Sequence, residues 1–207
     1  MFKQYSMVIL TLSALITGCG GGNDSDSKPT PQGNVVAAIE LDQLPNNVTY
    51  NRATTPDGYV EFNWSITFDI NGDGTINQGD VTLRLMHFKQ PGSLETTGPI
   101  SDFDAQLWLY TSNTQFISVA SATKRISGNT ITLTIDKSAH PSLSQITETT
   151  LVYFKTSIRD DITQLPKYDY FPDLDTYVDI PLNKQFTDPL GDVTDSEIDM
   201  INMSIAY

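Results

Sequence analysis

Hydrophobic and polar residues alternate over much of the chain beyond residue 34. The clearest case is the run from Tyr59 to Ile70, in which every second residue from Val60 onward is apolar and those between are mainly polar. A period of two places successive side chains on opposite faces of a β-strand, so this run predicts a strand with one buried face. The same pattern predicts strands at Val35–Leu41, Val81–Phe88, Ala105–Thr111, Phe116–Thr123, Thr130–Asp136, Thr149–Ile158, Thr176–Ile180 and Asp199–Tyr207.

Turn residues divide these runs into short strands. Ser127-Gly128-Asn129 is typical of a hairpin turn, and several prolines fall between the apolar runs, where proline is tolerated. Many short strands without a long helical stripe predict an all-β fold, an antiparallel β-sandwich that forms one domain over residues 34–207. Thr194 to Glu197 also matches a helix-capping box, so the C-terminal segment stays open between strand and helix, with the alternation favouring a strand.

The first residues of the chain are typical of an export signal. One basic residue, Lys3, precedes an apolar run from Met7 to Ile16, and Thr17 and Gly18 follow before Cys19. A basic start, an apolar middle and small residues at a cleavage point define a secretory signal peptide. The apolar run has about 10 residues, whereas a helix needs about 20 to cross a bilayer core of about 30 Å, which disfavours a transmembrane anchor.

The tetrapeptide Ile16-Thr17-Gly18-Cys19 resembles the lipobox of bacterial lipoproteins. The resemblance implies that residues 1–18 are removed, that Cys19 is lipidated, and that the lipid anchors the protein in the membrane. Gly20 stands where inner-membrane members of that class usually have Asp, which implies the outer membrane, with the domain on its periplasmic or cell-surface side. The alternative is a plain secretory signal with a chance cysteine. After Cys19, residues up to 33 are rich in Gly, Ser, Asp and Pro and predict a flexible tether.

Charge and cysteine content exclude several classes of function. The whole chain has a net charge of −13, and removing the signal peptide with Lys3 leaves 11 basic against 25 acidic residues. Such a chain should avoid nucleic acid and anionic lipid surfaces. Because Cys19 is the only cysteine, the sequence excludes an intrachain disulfide, a thiolate metal site and a cysteine nucleophile.

The segment from Asp69 to Asp80 has the most specific chemistry in the sequence. In a twelve-residue calcium loop, positions 1, 3, 5, 7, 9 and 12 supply ligands, and here they are occupied by Asp69, Asn71, Asp73, Thr75, Asn77 and Asp80. Gly74 takes position 6, where the sharp turn needs a residue without Cβ. Calcium takes six to eight oxygens at about 2.3–2.6 Å, and alternate residues of a tight loop direct their oxygens to one centre. We predict one bound Ca²⁺ ion, with Thr75 contributing its backbone carbonyl.

This segment resembles the loops of the EF-hand and dockerin families over its twelve residues. Asp80 stands where the EF-hand pattern has Glu, as in dockerin-type loops, and its shorter side chain implies a modest affinity. The flanking residues alternate, so we expect a strand–loop–strand site, and the absence of a second loop copy disfavours a cohesin-type partner. A plain Asn-Gly/Asp-Gly hairpin turn that binds nothing is the alternative, which the full pattern disfavours. We interpret the ion as structural.

Other acidic and aromatic residues are weaker candidates. Trp108 and Tyr110 share one strand face, opposite Leu107 and Leu109, and would stack on sugar rings if that face is exposed. We interpret the run from Tyr168 to Pro172 as a loop of the kind that often carries function. Acidic loops between strands are usually only solvated, but two regions could bind a second cation: Asp169, Asp173, Asp175 and Asp179, and Asp188, Asp192, Asp195 and Asp199.

No catalytic motif accompanies these features. His87 and His140 stand alone, and the sequence has no nucleophile elbow, zinc-protease helix motif, phosphate loop or dinucleotide fingerprint. We therefore expect a calcium-binding, membrane-anchored lipoprotein that is not an enzyme and serves binding or envelope structure, with a glycan or protein partner. A surface carbohydrate-binding module is the alternative. A glycan-active hydrolase, which would need a pair of carboxylates in a cleft, is the third.

Overall fold

The computed structural model describes residues 33–159, 163, 165–172, 178–179 and 185–207. The expected signal peptide, Cys19 and the tether up to residue 32 lie outside the described residues, as do Asp173 and Asp175. Within the described part of the chain, no helix is both long and apolar enough to span a membrane.

The described residues form an all-β fold of antiparallel strands. Short 3₁₀ helices occur at Ile100–Asp102, Lys137–Ala139 and Pro141–Gln145. In chain order the strands are β1 (Asn34–Leu41), β2 (Asn47–Tyr50), β3 (Val60–Asp69), β4 (Val81–Phe88), β5 (Thr96–Pro99), β6 (Asp104–Tyr110), β7 (Phe116–Ser121), β8 (Thr123–Ser127), β9 (Thr130–Asp136), β10 (Leu151–Arg159), β11 (Pro166–Phe171), β12 (Val178–Asp179), β13 (Gln185–Thr187) and β14 (Met200–Ala206).

Two sheets form the sandwich. The five-stranded sheet has the order β13-β14-β1-β9-β8, and the seven-stranded sheet has the order β11-β10-β3-β4-β6-β7, with β12 also paired to β10. A further two-stranded ribbon joins β2 to β5. One hydrophobic core contains residues of both sheets, such as Ile39 and Leu133 from the first and Trp64 and Leu83 from the second. The predicted antiparallel sandwich is therefore confirmed.

Strand β3 lies between β10 and β4, and both of its faces are buried. Its alternate apolar residues from Phe62 to Phe68 lie in the core, as the sequence predicted. The residues of the opposite face are also buried, with Asn63, Ser65 and Thr67 only 1–4% exposed. Their polar atoms are paired within the sheet: Arg84 donates to Asn63 Oδ1 at 2.9 Å, and the Ser65 hydroxyl donates to a backbone carbonyl of β10. Pairing of this kind offsets the cost of burying polar groups.

A buried carboxylate joins the ribbon to the seven-stranded sheet. Glu61 is fully buried and accepts hydrogen bonds from the backbone N–H groups of Asn51 and Arg52 at 2.7 and 2.9 Å. The Arg52 and His87 side chains lie 3.6 and 3.4 Å from its oxygens. Burial lowers the pKa of His87, against the opposing effect of Glu61. His87 therefore belongs to a structural network, in keeping with its lack of a catalytic spacing.

Two segments test the sequence patterns most directly. The C-terminal segment is a strand, β14, with Met203 and Ile205 in the core, so the alternation and not the capping box describes it correctly. The interpretation of Tyr168 to Pro172 as a loop is wrong, because Pro166–Phe171 is strand β11 at the edge of the seven-stranded sheet. In β11 the aspartate faces inward, since Asp169 is 3% exposed whereas Tyr168 is 38% exposed.

Candidate functional site

The loop from Asp69 to Asp80 connects two neighbouring antiparallel strands. Asp69 ends β3, and Asp80 directly precedes β4, so the predicted strand–loop–strand arrangement is present. Gly74 has a backbone φ of +76°, in the left-handed region that L-residues with a Cβ avoid. The sharp turn that the sequence assigns to this position is therefore present.

The two end residues of the loop organise its backbone. Asp69 and Asp80 are 1% and 0% exposed. Asp69 accepts hydrogen bonds from the N–H groups of Gly72 and Gly74, both at 2.7 Å. Asp80 accepts from the N–H of Ile70 at 2.9 Å and from the N–H of Asn77 at 2.8 Å. Each carboxylate thus satisfies two backbone donors that the irregular loop leaves without a strand partner.

The other predicted ligands converge on one another at the surface. Asp73 Oδ1 accepts from the hydroxyl and the N–H of Thr75, at 2.7 and 2.9 Å. Asp73 Oδ2 accepts from the side-chain amides of Asn71 and Asn77, at 3.1 and 2.5 Å. The Asn71 amide also donates to Asn77 Oδ1 at 2.8 Å. Four of the six predicted ligand residues therefore form one exposed cluster of oxygen-bearing side chains.

The two kinds of carboxylate differ in their electrostatics. The hydrogen bond from the Thr75 hydroxyl is the main cause that lowers the pKa of Asp73, which is exposed. Burial is the main cause that raises the pKa of Asp80, and the negative charges of Asp69 and Asp73 raise it further. Asp69, Asp73 and Asp80 do not bring one oxygen each within 4.8 Å of one another. Among the described residues, Asp169, Asp188 and Asp192 do so.

The loop is attached to the sandwich on two sides. The N–H of Gly79 donates to the carbonyl of Tyr110 at 3.0 Å, and the N–H of Tyr110 donates to the carbonyl of Asp80 at 2.9 Å. The hydroxyl of Ser142 donates to the carbonyl of Gly79 at 3.3 Å. Ile70 packs against the hydrophobic core, whereas Ile76 is only half-buried and is not among the core residues. The apolar contact that fixes the loop is therefore made at its start.

A cavity of about 370 Å³ lies on the outer face of the seven-stranded sheet. Three cationic residues line it, and two tyrosines, Tyr59 and Tyr168, are 53% and 38% exposed. Arg159 Cζ lies 4.8 Å from the ring centroid of Tyr59, and Lys155 Nζ lies 4.4 Å from that of Tyr168. None of its described lining residues carries a carboxylate. Cations beside aromatic rings are suited to binding an anionic ligand with a ring or a flat face.

The predicted aromatic face of β6 borders the same sheet surface. Leu107 is fully buried, whereas Trp108 and Tyr110 on the other face are half-buried. Phe116 packs edge-on against both rings, with centroid distances of 5.3 Å to Trp108 and 5.6 Å to Tyr110. Arg84 Cζ lies 5.7 Å from the Trp108 ring. Neighbouring side chains therefore cover part of the Trp108 and Tyr110 rings and leave less of them open to stack on a ligand.

The structure also brings together two acidic regions that are separate in the sequence. Oxygens of Asp169, Asp188 and Asp192 all lie within 4.8 Å of one another. Asp195, from the same region, instead forms an ion pair with Lys167 at 2.8 Å. The side chain of Asp179 is not among the described ones. Sequence reasoning noted both regions but had no signal for their meeting, because β11 and the segment before β14 belong to different sheets.

Comparison with protein-family models, curated proteins and solved structures finds no match for this chain. Inferences about its function therefore depend on its own residues and their geometry.

Proposed function

We propose that this protein is an exported lipoprotein, anchored in the outer membrane through Cys19, whose β-sandwich binds one calcium ion in the Asp69–Asp80 loop. The domain serves binding or envelope structure and is not an enzyme. The observation that carries the proposal is the hairpin loop itself. Its sequence matches the calcium-loop pattern at six ligand positions, and side-chain hydrogen bonds join four of these residues, Asn71, Asp73, Thr75 and Asn77, in one cluster.

Electrostatics gives the ion its role. Asp69, Asp73 and Asp80 place three carboxylates on one short loop, and burial, followed by the charges of Asp69 and Asp73, raises the pKa of Asp80. A divalent cation removes the repulsion between these charges and takes the place of the amide and hydroxyl donors that now bond to the oxygens of Asp73. At free calcium 100 times the dissociation constant, one site adds about 2.7 kcal/mol to the free energy of unfolding. The ion would thus hold the β3–β4 connection in one conformation.

Calcium titration calorimetry on the full-length chain in detergent tests the loop. We expect a saturable heat from the loop site that is lost in Asp73→Ala. Asp136→Ala is the matched control, because Asp136 is also exposed and also accepts a hydrogen bond from a residue two positions further on. Equal calcium binding by wild type and Asp73→Ala would reduce the loop to a hairpin turn.

The anchor has its own test. Cys19→Ser should abolish incorporation of labelled fatty acid and release the protein from the membrane fraction. Retention of the label in Cys19→Ser would disprove the lipid attachment at this residue. Density-gradient separation of the two membranes would then assign the wild-type protein to the outer or the inner one.

The cavity on the outer face favours a second candidate function, binding of an acidic carbohydrate. Arg84, Lys155 and Arg159 line it in a chain with only 12 basic residues, and the side chains of Tyr59 and Tyr168 are partly exposed beside them. Sugars stack on tyrosine rings, and carboxylates or sulfates of a glycan would contact the cations. The described residues that line this cavity include no carboxylate, which disfavours the glycosidase alternative.

Binding of uronic-acid oligosaccharides, measured by calorimetry, tests this second candidate. Tyr59→Ala and Arg159→Ala should each weaken the binding by about tenfold, since each removes one stacking or charge-assisted contact. Ile117→Ala is a control, because Ile117 is 52% exposed on β7 and does not line the cavity. Wild-type affinity in both cavity variants, or no binding to any acidic or neutral oligosaccharide, would reject the candidate.

A further inference from the structure

Three aspartates meet where the edges of the two sheets come together, and a fourth interacts electrostatically with two of them. Asp169 lies on β11 of the seven-stranded sheet, whereas Asp188 and Asp192 follow β13 of the five-stranded sheet. Oxygens of these three residues lie within 4.8 Å of one another. Asp169 and Asp188 are each 3% exposed, and Asp192 is at the surface. Asp199, just before β14, is the fourth residue and is 2% exposed.

Such a group is unfavourable when all its members are charged. Burying a carboxylate is costly unless it is paired, and carboxylates at this spacing repel each other. Burial, together with the charges of Asp192 and Asp199, raises the pKa of Asp169 to about 6, against the lowering effect of the Met200 N–H, which donates to its Oδ2 at 2.7 Å. The nearby Lys167 forms an ion pair with Asp195, which is not one of the three clustered residues.

An independent feature of Asp199 points to a ligand. Its Oδ2 accepts a hydrogen bond from the N–H of Gly191 at 2.8 Å, but its buried Oδ1 has no hydrogen-bond partner. Gly191 directly precedes Asp192, so this bond holds Asp199 against the turn that carries a member of the cluster. The contact is also electrostatic: after burial, the charge of Asp192 is a cause that raises the pKa of Asp199. A buried carboxylate oxygen without a partner is costly, unless something absent from the protein itself satisfies it.

We propose that Asp169, Asp188, Asp192 and Asp199 bind one divalent, oxygen-preferring cation, with calcium the best fit. Two oxygens bound to the same calcium at about 2.3–2.6 Å lie at most about 4.6–5.2 Å apart, which agrees with the spacing within 4.8 Å of Asp169, Asp188 and Asp192. Magnesium, at about 2.0–2.1 Å, requires a tighter and more regular shell. The site is independent of the Asp69–Asp80 loop and stands whether or not that loop binds calcium.

The position of the cluster gives the cation a structural role. Its ligands come from both sheets, so a bound ion links β11 to the segment between β13 and β14. Direct links already exist beside it, since the Thr156 hydroxyl donates to the Ile198 carbonyl at 2.5 Å and Trp64 Nε1 donates to the Glu197 carbonyl at 3.2 Å. The ion would hold β11 and the β13–β14 segment together at the edge of the sandwich where the carboxylates otherwise repel one another.

Calcium binding is measured by calorimetry on the full-length Asp73→Ala variant in detergent. This variant lacks a loop ligand, so the measurement isolates the cluster from the loop. We expect one ion per chain in this variant and a loss of at least about tenfold in affinity when Asp199→Asn or Asp192→Asn is added, because each removes a charged ligand. Asp192 is exposed, so Asp192→Asn keeps the test valid if a buried variant fails to fold. Asp195→Asn is the matched neighbour that should leave the affinity unchanged.

The outcomes separate the two sites. Loss of binding in Asp192→Asn but not in Asp195→Asn supports the cluster, whatever Asp73→Ala does to the loop. No calcium bound by Asp73→Ala at millimolar concentration, with circular dichroism showing it folded, overturns the proposal. It would also be overturned if Asp199→Asn and Asp192→Asn bound calcium as tightly as their parent.

Discussion

The two acidic regions of this protein are built in opposite ways. The Asp69–Asp80 loop is continuous in sequence, joins neighbouring strands and leaves its central residues exposed. The cluster of Asp169, Asp188, Asp192 and Asp199 is assembled from two sheets, and three of its members are nearly inaccessible to solvent. In the loop the carboxylates accept hydrogen bonds from loop donors, whereas in the cluster a buried oxygen of Asp199 has no such donor.

The comparison separates two properties of a candidate metal site. One is a sequence pattern typical of metal ligands, and the other is a structure that leaves carboxylate oxygens without a partner. The loop has the sequence pattern of a calcium site, but its own amides and hydroxyls already satisfy its oxygens. The cluster has no sequence pattern, but a buried oxygen of Asp199 beside it has no hydrogen-bond partner. A cation is therefore expected to matter more for stability at the cluster than at the loop.

Removal of calcium should have the largest effect. If both sites are filled at 100 times their dissociation constants, chelation lowers the free energy of unfolding by about 5 kcal/mol, the sum of two sites. Thermal melting with excess calcium and with chelator measures this. Asp73→Ala should keep the stabilisation by calcium at the cluster and lose that at the loop. Asp199→Asn should keep the stabilisation at the loop and lose that at the cluster. Identical melting temperatures of the wild type in both buffers would show that calcium stabilises the protein at neither site.

Asp80→Ala should be the most damaging substitution in the loop even without calcium. It deprives the N–H groups of Ile70 and Asn77 of a charged acceptor, which costs about 2–4 kcal/mol for two such bonds. Urea unfolding in chelator measures the loss, with Asp73→Ala as the comparison. Asp73→Ala should change stability far less, because its side chain is exposed. Equal losses in the two variants would mean that the buried carboxylate does not organise the loop.

The pH dependence in calcium-free buffer should reveal the cluster. The pKa of Asp169 is raised to about 6, above the value of about 3.9 for an unfolded aspartate. Between these values the folded state keeps a proton that the unfolded state has lost, so stability falls as pH rises from about 4 to about 7, by on the order of 2 kcal/mol. Urea unfolding at pH 5 and pH 7 should show a smaller decrease in Asp169→Asn than in wild type. Equal decreases would contradict the assignment.

Gly74→Ala should have the smallest effect of the four. Nothing lies within 4 Å of a Cβ added at this position, so the cost arises from its backbone φ of +76°. An L-residue in this region costs about 1–2 kcal/mol, and Asn tolerates it better than Ala. Urea unfolding of Gly74→Ala and Gly74→Asn in chelator should therefore rank Asn as the milder change. The opposite order would indicate that the turn relaxes when it is substituted.

The sequence predicted those parts of the fold in which apolar residues face inward. Strand β4 has the predicted bounds Val81–Phe88, and β9 has the predicted bounds Thr130–Asp136. Strand β11 was not predicted because its burial pattern is inverted: the polar Asp169 is buried and the aromatic Tyr168 is exposed. Alternation assigns faces by assuming that apolar residues are buried, so a strand that buries a carboxylate is read as a loop.

The candidate sites follow the same logic. The Asp69–Asp80 loop could be located from the sequence because its residues are neighbours, and its turn at Gly74 follows from local stereochemistry. The meeting of Asp169 with Asp188 depends on how two sheets pack, which no local pattern encodes. The burial of Asn63 on the outer face of β3 could not be predicted either, because the covering residues come from other strands.

The place of β1 in its sheet has a mechanical consequence. In the proposed lipoprotein, a pulling force on the predicted tether would reach the domain at Asn34, the first residue of this strand. Strand β1 is flanked on both sides, by β14 and by β9, with pairings such as Ala37 with Ile205 and with Leu133. Force along the strand therefore shears two hydrogen-bond ladders at once instead of peeling one open. The proposed attachment point is therefore a strand that would resist extraction from its sheet.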